Sequence, residues 1–162
     1  MILYQVLPSS PFSSPITVTV SSLITPKTNW NGGTAADGTY IGDRFNAVDF
    51  NRIKNNLDYL RELAIKLYDE FAINALGSDR TPADYFYADE INQLEENLTI
   101  INNNTLKRHY GTAPTYVNNG RTMDFTELNR LESAILDLYD RLTNQSEGRR
   151  KFQWNFGIKE GL

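Results

Sequence analysis

The chain has 162 residues, a formal net charge of -4, one histidine and no cysteine. A mildly acidic chain gives no electrostatic attraction for phosphate backbones or anionic lipid, which argues against nucleic acid and membrane partners. The absence of cysteine excludes disulfides, thiolate metal sites and cysteine nucleophiles, so the fold depends on packing.

Residues 1–28 are predicted to form an extended N-terminal arm. The strand-like runs "ILYQVL" and "ITVTVSSL" flank a Ser/Pro stretch, and Ile16, Val18 and Val20 alternate with threonine, which gives a strand one apolar face. The N-terminus lacks the basic region and cleavage site of a secretory signal, so we expect synthesis and assembly in a cytoplasm. Residues 29–44 are rich in Gly, Asn and Asp and are predicted to form a loop.

Residues 45–146 are predicted to form a mainly α three-helix bundle, because one helix-start pattern occurs three times without gaps. The copies are "NAVDFNRIKNNLDYL" at 46–60, "YADEINQLEENLTII" at 87–101 and "DFTELNRLESAILDL" at 124–138. The predicted helices cover residues 47–75, 88–107 and 125–144.

Each predicted helix begins with a capping motif. Asn46 with Asp49, and Asp124 with Glu127, have the spacing of a capping box, in which the first side chain bonds to N–H groups of the first turn and the second bonds back. The second copy keeps Glu90 in the returning position, but a tyrosine stands at the cap position. The second cap is therefore predicted to be the weakest.

Behind each cap, apolar residues follow at alternating spacings of three and four, which predicts one apolar stripe per helix. Leu57, Leu94 and Leu131 are expected in the core, whereas Lys54 and Gln93 lie off the stripe and are expected to tolerate substitution. Three matching stripes most simply face one another within one chain. The alternative, a coiled coil with other copies of the chain, has the same spacing.

An asparagine stands five residues after the cap position in each copy, as Asn51, Asn92 and Asn129. Asparagine is a poor residue inside a helix. Either the position is exposed, where the cost is small, or the amide bonds to the backbone of the incoming loop and fixes the angle at which the chain enters each helix. We favour the second explanation.

Residues 147–162 are predicted to form a C-terminal extended arm. The charged hinge "SEGRRK" precedes "FQWNFGI", in which Phe152, Trp154 and Phe156 occupy alternate positions. Together with the apolar face of the N-terminal arm, these residues are predicted to dock partners by adding to the sheet edges of neighbouring subunits.

No catalytic site is predicted. The chain has no P-loop, GxGxxG, GxSxG or HExxH motif, and His109 is expected to be a surface loop residue. The stretch "DGTYIGD", with Asp37 and Asp43, lacks the alternating ligands and terminal Glu of a calcium loop. We therefore expect no enzyme, no metal and no cofactor.

The stretch from "ITPKTNW" to "DRFNAVDFNRIKNNLDYL" resembles a segment of tail, baseplate and fibre-adaptor structural proteins of phages that infect Gram-positive bacteria. The matching residues are Lys27, Thr28, Trp30, Phe45, Asn46, Asn51, Arg52, Ile53, Asn56 and Leu57. The resemblance covers about residues 24–60, and the two later copies match more loosely. Gly-X-Y tracts, β-helical repeats and lytic domains, which fibre-type relatives carry, are missing from this sequence.

The resemblance implies a non-enzymatic virion structural protein, an assembly subunit of a tail, baseplate or fibre adaptor. Its partners would be other virion structural proteins and further copies of itself within the particle, which is assembled in the cytoplasm of the host bacterium. One alternative is a module of the particle that binds host glycan or cell wall through loop tyrosines. Another is a capsid decoration or head-fibre protein.

Overall fold

The structure, a computed structural model, describes residues 22–153, with side chains as far as residue 149. Helix α1 is Ala47–Ala64, α2 is Ala88–Asn103 and α3 is Phe125–Gln153. Each helix packs against the other two. Over these residues the chain is mainly helical, and its only β pairing there is an isolated bridge between Thr34 and Tyr40.

Most of the two predicted arms lies outside the described residues, including Ile16, Val18, Val20, Trp154 and Phe156. The described part of the N-terminal arm, residues 22–28, lies on the bundle. There the Ile24 N–H donates to Asn56 Oδ1 at 2.8 Å. These residues belong to the helical unit, so the predicted boundary at residue 28 is wrong.

All three helices begin at the residues predicted from the repeat. Asn46 Oδ1 accepts hydrogen bonds from the N–H groups of Val48 at 2.9 Å and Asp49 at 3.4 Å, and Asp49 Oδ2 accepts from the Asn46 N–H at 3.1 Å. The predicted capping box is therefore present.

At α2, Glu90 Oε2 accepts a hydrogen bond from the Tyr87 N–H at 3.1 Å. The Tyr87 side chain makes no cap bond, so this cap is incomplete, as predicted.

Helix α3 begins with half of the predicted box. Asp124 Oδ1 accepts hydrogen bonds from the N–H groups of Thr126 at 2.9 Å and Glu127 at 3.0 Å. Instead of returning to the Asp124 N–H, the Glu127 carboxylate accepts a hydrogen bond from Arg130 Nε at 2.9 Å. A guanidinium donor forms a stronger, charge-assisted bond than a neutral backbone amide. The predicted role of Glu127 in the box is therefore wrong.

Helix α1 ends at Ala64 rather than at residue 75, because the residues beyond it are bound to other elements. Arg61 Nε donates to the Phe71 carbonyl at 2.9 Å, and the Asn74 N–H donates to Asn97 Oδ1 at 2.8 Å. These bonds hold the chain beside the bundle, and a longer helix would break them.

Helix α2 ends at Asn103 rather than at residue 107. The Asn102 side chain donates to the Arg108 carbonyl at 2.7 Å and accepts from the Arg108 N–H at 2.9 Å. Between them Lys107 adopts a φ of 50°. A residue in this left-handed region commonly terminates a helix.

Helix α3 is longer than predicted and runs through the predicted hinge to Gln153. Residues 146–151 are mostly good helix formers, and two contacts anchor them to the chain after α1. The Tyr68 hydroxyl donates to Gln145 Oε1 at 2.8 Å, and Arg149 Nη1 donates to the Leu67 carbonyl at 2.6 Å. Position 152 therefore lies in a helix, and the prediction of an extended arm starting at residue 147 is wrong.

The three helices run in the same direction. Before the first turns of α1 and α2, the rings of Phe45 and Phe86 lie 5.4 Å apart. Arg52 of α1 pairs with Glu132 of α3 at 2.7 Å, within eight residues of both helix starts. Further along the same two helices, the rings of Tyr59 and Tyr139 lie 6.2 Å apart. Short loops join antiparallel helices, so parallel helices require stretches of chain that travel back along the bundle.

Three stretches without helix run along the bundle toward the helix starts, one before each helix. They are residues 22–31, 72–81 and 107–117, here called the first, second and third approach segments. Each segment lies in a groove between two helices.

The core lies between the three helices. Leu57, Leu94 and Leu131 are fully buried, as the stripes predicted, and the stripes pack within one chain. Lys54 contradicts the expectation of an exposed, tolerant position. Its side chain is buried and its Nζ donates to the carbonyl of Gly77 at 3.0 Å.

Candidate functional site: the asparagine seams

Each repeated asparagine bonds to both backbone groups of one residue in an approach segment. Its Nδ2 donates to the carbonyl, and its Oδ1 accepts from the N–H. The pairs are Asn51 with Arg80 (2.8 and 2.7 Å), Asn92 with Tyr116 (2.9 and 2.8 Å) and Asn129 with Trp30 (2.9 and 2.7 Å). The amide thereby satisfies backbone groups that would otherwise be partly buried without a partner.

Each asparagine amide bonds to loop backbone, as the favoured explanation predicts. The loop, however, is not the one that enters the asparagine's own helix. Asn51 of α1 holds the segment that enters α2, and Asn92 of α2 holds the segment that enters α3. Asn129 of α3 holds the segment that enters α1. Each asparagine therefore fixes the approach to the next helix in cyclic order, and the three contacts form a closed ring around the bundle.

A second asparagine, five residues further along the helix, pairs in the same way with the other end of the segment. Asn56 bonds to both backbone groups of Ile24 at 2.7 and 2.8 Å, and Asn97 bonds to those of Asn74 at 2.9 and 2.8 Å. Both asparagines are fully buried. We call each set of such contacts an asparagine seam, since it fastens one segment to two helices.

The third seam lacks this second asparagine. The corresponding residue is Ala134, which is buried, and the facing segment residue is Tyr110. The Tyr110 carbonyl accepts a 3.5 Å bond from Arg130 Nη1, and its hydroxyl donates to Asp137 at 2.8 Å. Side chains of α3 therefore replace the missing amide at Tyr110. Asn102 of α2 holds the start of the third segment by bonding to both backbone groups of Arg108 at 2.7 and 2.9 Å.

Glu132 is the most connected residue of the first seam. Its carboxylate is fully buried and accepts hydrogen bonds from the Lys27 N–H at 2.7 Å, from Trp30 Nε1 at 2.9 Å and from Arg52 at 2.7 and 2.9 Å. Burial by itself would lower the pKa of Arg52, but Glu132 and Asp49 together raise it above its ordinary value. The buried charge is thus matched by a cation and by oriented donors.

The same charge pair recurs between α3 and α2. Arg130 of α3 pairs with Glu95 of α2, at positions matching Arg52 and Glu132. Burial raises the pKa of Glu95, although Arg130 opposes the shift. Between α2 and α1 the pair is absent, because the matching residues are Gln93 and Lys54.

Lys54 instead binds groups of the second approach segment. Besides its bond to the second approach segment at Gly77, its Nζ lies 2.6 Å from Asp79 Oδ1. The hydrogen bond from Lys54 lowers the pKa of Asp79. Glu132 and Lys54 therefore bond directly to the first and second segments. Glu95 acts on the third segment only through Arg130, whose Nη1 donates to the Tyr110 carbonyl at 3.5 Å.

A cavity of about 140 Å³ lies beside the third seam, between α2 and the third approach segment. Glu95, Thr99, Arg108, His109 and Arg130 are among its lining residues. Its buried carboxylate, Glu95, is already paired with Arg130. At this cavity the Glu95–Arg130 pair thus joins α2 to α3.

Sequence reasoning identified Asn51, Asn92 and Asn129 but missed Asn56 and Asn97. A signal for them was present, because a second asparagine follows five residues after the first in two of the three copies. Glu132 offered no comparable signal. A glutamate beside an apolar stripe usually faces solvent, and the burial of Glu132 depends on its distant partners Trp30 and Arg52.

No known protein family matches the chain, and neither curated proteins nor solved structures show a match. Among residues 22–153, no helix has the length and apolarity that crossing a membrane requires. The acidic and histidine side chains in that part of the chain form no cluster able to hold a metal ion. A functional proposal for this chain therefore rests on the contacts of the asparagine seams.

Proposed function

We propose that this chain is a non-enzymatic structural protein of a phage particle, an assembly subunit of a tail, baseplate or fibre adaptor. The proposal rests on the place that the residues carrying the resemblance to such proteins have in the structure. Trp30, Asn51, Arg52 and Asn56 all form the seams. The residues that carry the resemblance therefore hold the approach segments and helices in one arrangement. An assembly subunit requires such a fixed arrangement.

The arms are the docking elements of this proposal. Ile16, Val18 and Val20 in the N-terminal arm, and Trp154 and Phe156 in the C-terminal arm, add to sheet edges of neighbouring virion proteins, where alternate side chains enter pockets. Phe152 lies at the base of the C-terminal arm. The subunit is present in several copies in the virion and reaches it from the host cytoplasm.

Deletion of residues 1–21 in the phage gene tests the proposal. The cut leaves Ile24 and the first seam in place, so the expected product is a folded protein that no longer enters particles. A matched control exchanges Thr17 and Thr19, on the other face of the arm, for serine and is expected to enter normally. Normal incorporation of the deleted chain, or absence of the intact chain from particles, would refute the proposal.

A host-binding module is the second candidate, favoured by the exposure of Tyr85 and Tyr87, which are 80% and 59% accessible. Exposed tyrosines are common at recognition surfaces. The intact chain would then bind isolated host cell walls, and exchange of both tyrosines for serine would abolish the binding. Equal retention of the chain with and without these tyrosines argues against this candidate.

A further inference from the structure

The exposed large apolar side chains of the described residues are gathered at one end of the bundle. Apart from Ile24, each lies in the first turn of a helix or in the loop that leads into one, within eight residues of the helix start. We call this end the helix-start face and define it by Ile41, Val48, Tyr85, Tyr87, Val117 and Phe125. Val48 and Phe125 lie in the first turns of α1 and α3, and the other four lie in the loops that lead into the three helices. All six are between 43% and 80% accessible.

The sides of the bundle offer no comparable surface, because the grooves between helices are already filled. The first approach segment bonds to α1 and α3 through Asn56 and Asn129, and the second bonds to α2 and α1 through Asn97 and Asn51. The third segment is bonded to α2 through Asn92. An extended peptide that approaches the bundle therefore finds apolar side chains at the helix-start face.

The N-terminal arm joins the bundle away from this face. The first approach segment passes Asn56, ten residues into α1, before it reaches Asn129, five residues into α3, so it runs toward the helix starts. Residues 1–21 precede this segment and connect to its far end. Twenty-one residues can span up to about 70 Å, whereas α1 is about 27 Å long.

We infer that the helix-start face binds residues 1–21 of a second copy of this chain, in a head-to-tail arrangement. The arm is long enough to cross from the far end of one bundle to the face of the next, and the apolar residues Ile16, Val18 and Val20 match an apolar face. Return of the arm to its own face is disfavoured, since every groove along the way is occupied by an approach segment. The inference rests on the proposed function in taking the arm as an assembly element. Between copies of this chain, the helix-start face takes the place of the sheet edge of another virion protein as the surface that the arm binds.

The natural absence of cysteine allows a direct test on the full-length chain. Val18→Cys and Tyr87→Cys are made in separate chains, mixed under mild oxidation, and compared with a mixture of Val18→Cys and Ser133→Cys. Ser133 is exposed on the side of α3. The expected result is a disulfide-linked dimer of the first pair that exceeds the control at least fivefold and falls on dilution.

Three results would overturn the inference. The first is equal cross-linking of the two mixtures, and the second is a Tyr87→Cys chain that links mainly to itself, which indicates face-to-face docking. The third is a Val18→Cys/Tyr87→Cys double variant that closes within a monomer while the separate chains fail to link. Any of these leaves the particle-incorporation experiment valid, so failure of the inference is distinguishable from failure of the proposed function.

Discussion

Asn129 and Trp30 are 99 residues apart in the sequence, yet the Asn129 side chain forms both hydrogen bonds to the Trp30 backbone, at 2.7 and 2.9 Å. This contact joins the last helix to the segment that precedes the first one. It closes the ring of seams, so the bundle depends on a contact between the two ends of the described chain.

Asn129→Ala is expected to lower the free energy of unfolding by about 1–3 kcal/mol, because it leaves two backbone groups of Trp30 without a partner. Asn144→Ala is the control, since Asn144 is exposed on the same helix and its loss is expected to change stability by less than about 0.5 kcal/mol. Urea unfolding of the two variants measures the difference. Equal stability of both would show that the seam contributes nothing.

Ala134→Asn is expected to be tolerated, with a change in unfolding free energy within about 1 kcal/mol. The new amide can pair with the backbone of Tyr110, as Asn56 does with Ile24. Ala64→Asn, at an equally buried position within the apolar core, is expected to cost about 1–3 kcal/mol through an unpaired buried amide. Thermal unfolding compares the two, and an equal loss would mean that the third segment does not match the first two.

Glu132→Ala is expected to cost about 3–5 kcal/mol, because it leaves the Arg52 cation buried with fewer partners. The variant is also expected to release Trp30. In a Trp154→Phe background the remaining tryptophan fluorescence reports on Trp30 alone, and its emission should shift to the red as the ring becomes hydrated. Asp140→Ala, exposed on the same helix, should leave both the stability and the emission unchanged.

Glu95→Gln is expected to make stability less dependent on pH. Burial raises the pKa of Glu95 above its unfolded value of 4.5, so the folded state holds the proton more tightly. That preference stabilises the native protein below about pH 4.5 and is lost as pH rises through the folded pKa. The difference in unfolding free energy, wild type minus variant, should therefore fall from pH 4 to pH 7. Glu96→Gln, exposed on the same helix, is the control, and a rising difference for Glu95→Gln would contradict the expected direction.

The sequence was sufficient to locate the helix starts, because caps are local. Asn46, Glu90 and Asp124 stand within a few residues of the N–H groups or helix turns they serve, so spacing alone identified them. The helix ends depend on distant residues. Helix α1 stops at Ala64 because Asn97 binds Asn74, and no local pattern contains that information.

The contacts of the candidate site also include some that the sequence predicted and some that it could not. The repeat predicted that Asn51, Asn92 and Asn129 bond to loop backbone, since that chemistry follows from an amide in a helix next to a loop. The identity of the loop depends on the parallel course of the helices. Three capped amphipathic helices are compatible with several topologies, and the prediction paired each asparagine with the loop nearest in sequence.

The closed ring has a consequence for the order in which the chain can fold as it is synthesised. The groove that receives residues 22–31 is complete only after the ribosome has released α3, because Asn129 and Glu132 form one side of it. The first segment must therefore wait, with Trp30 solvated, while more than a hundred further residues emerge. Contacts of such high sequence separation slow folding, so the nascent chain exposes an aromatic side chain to aggregation and to chaperones until α3 is made.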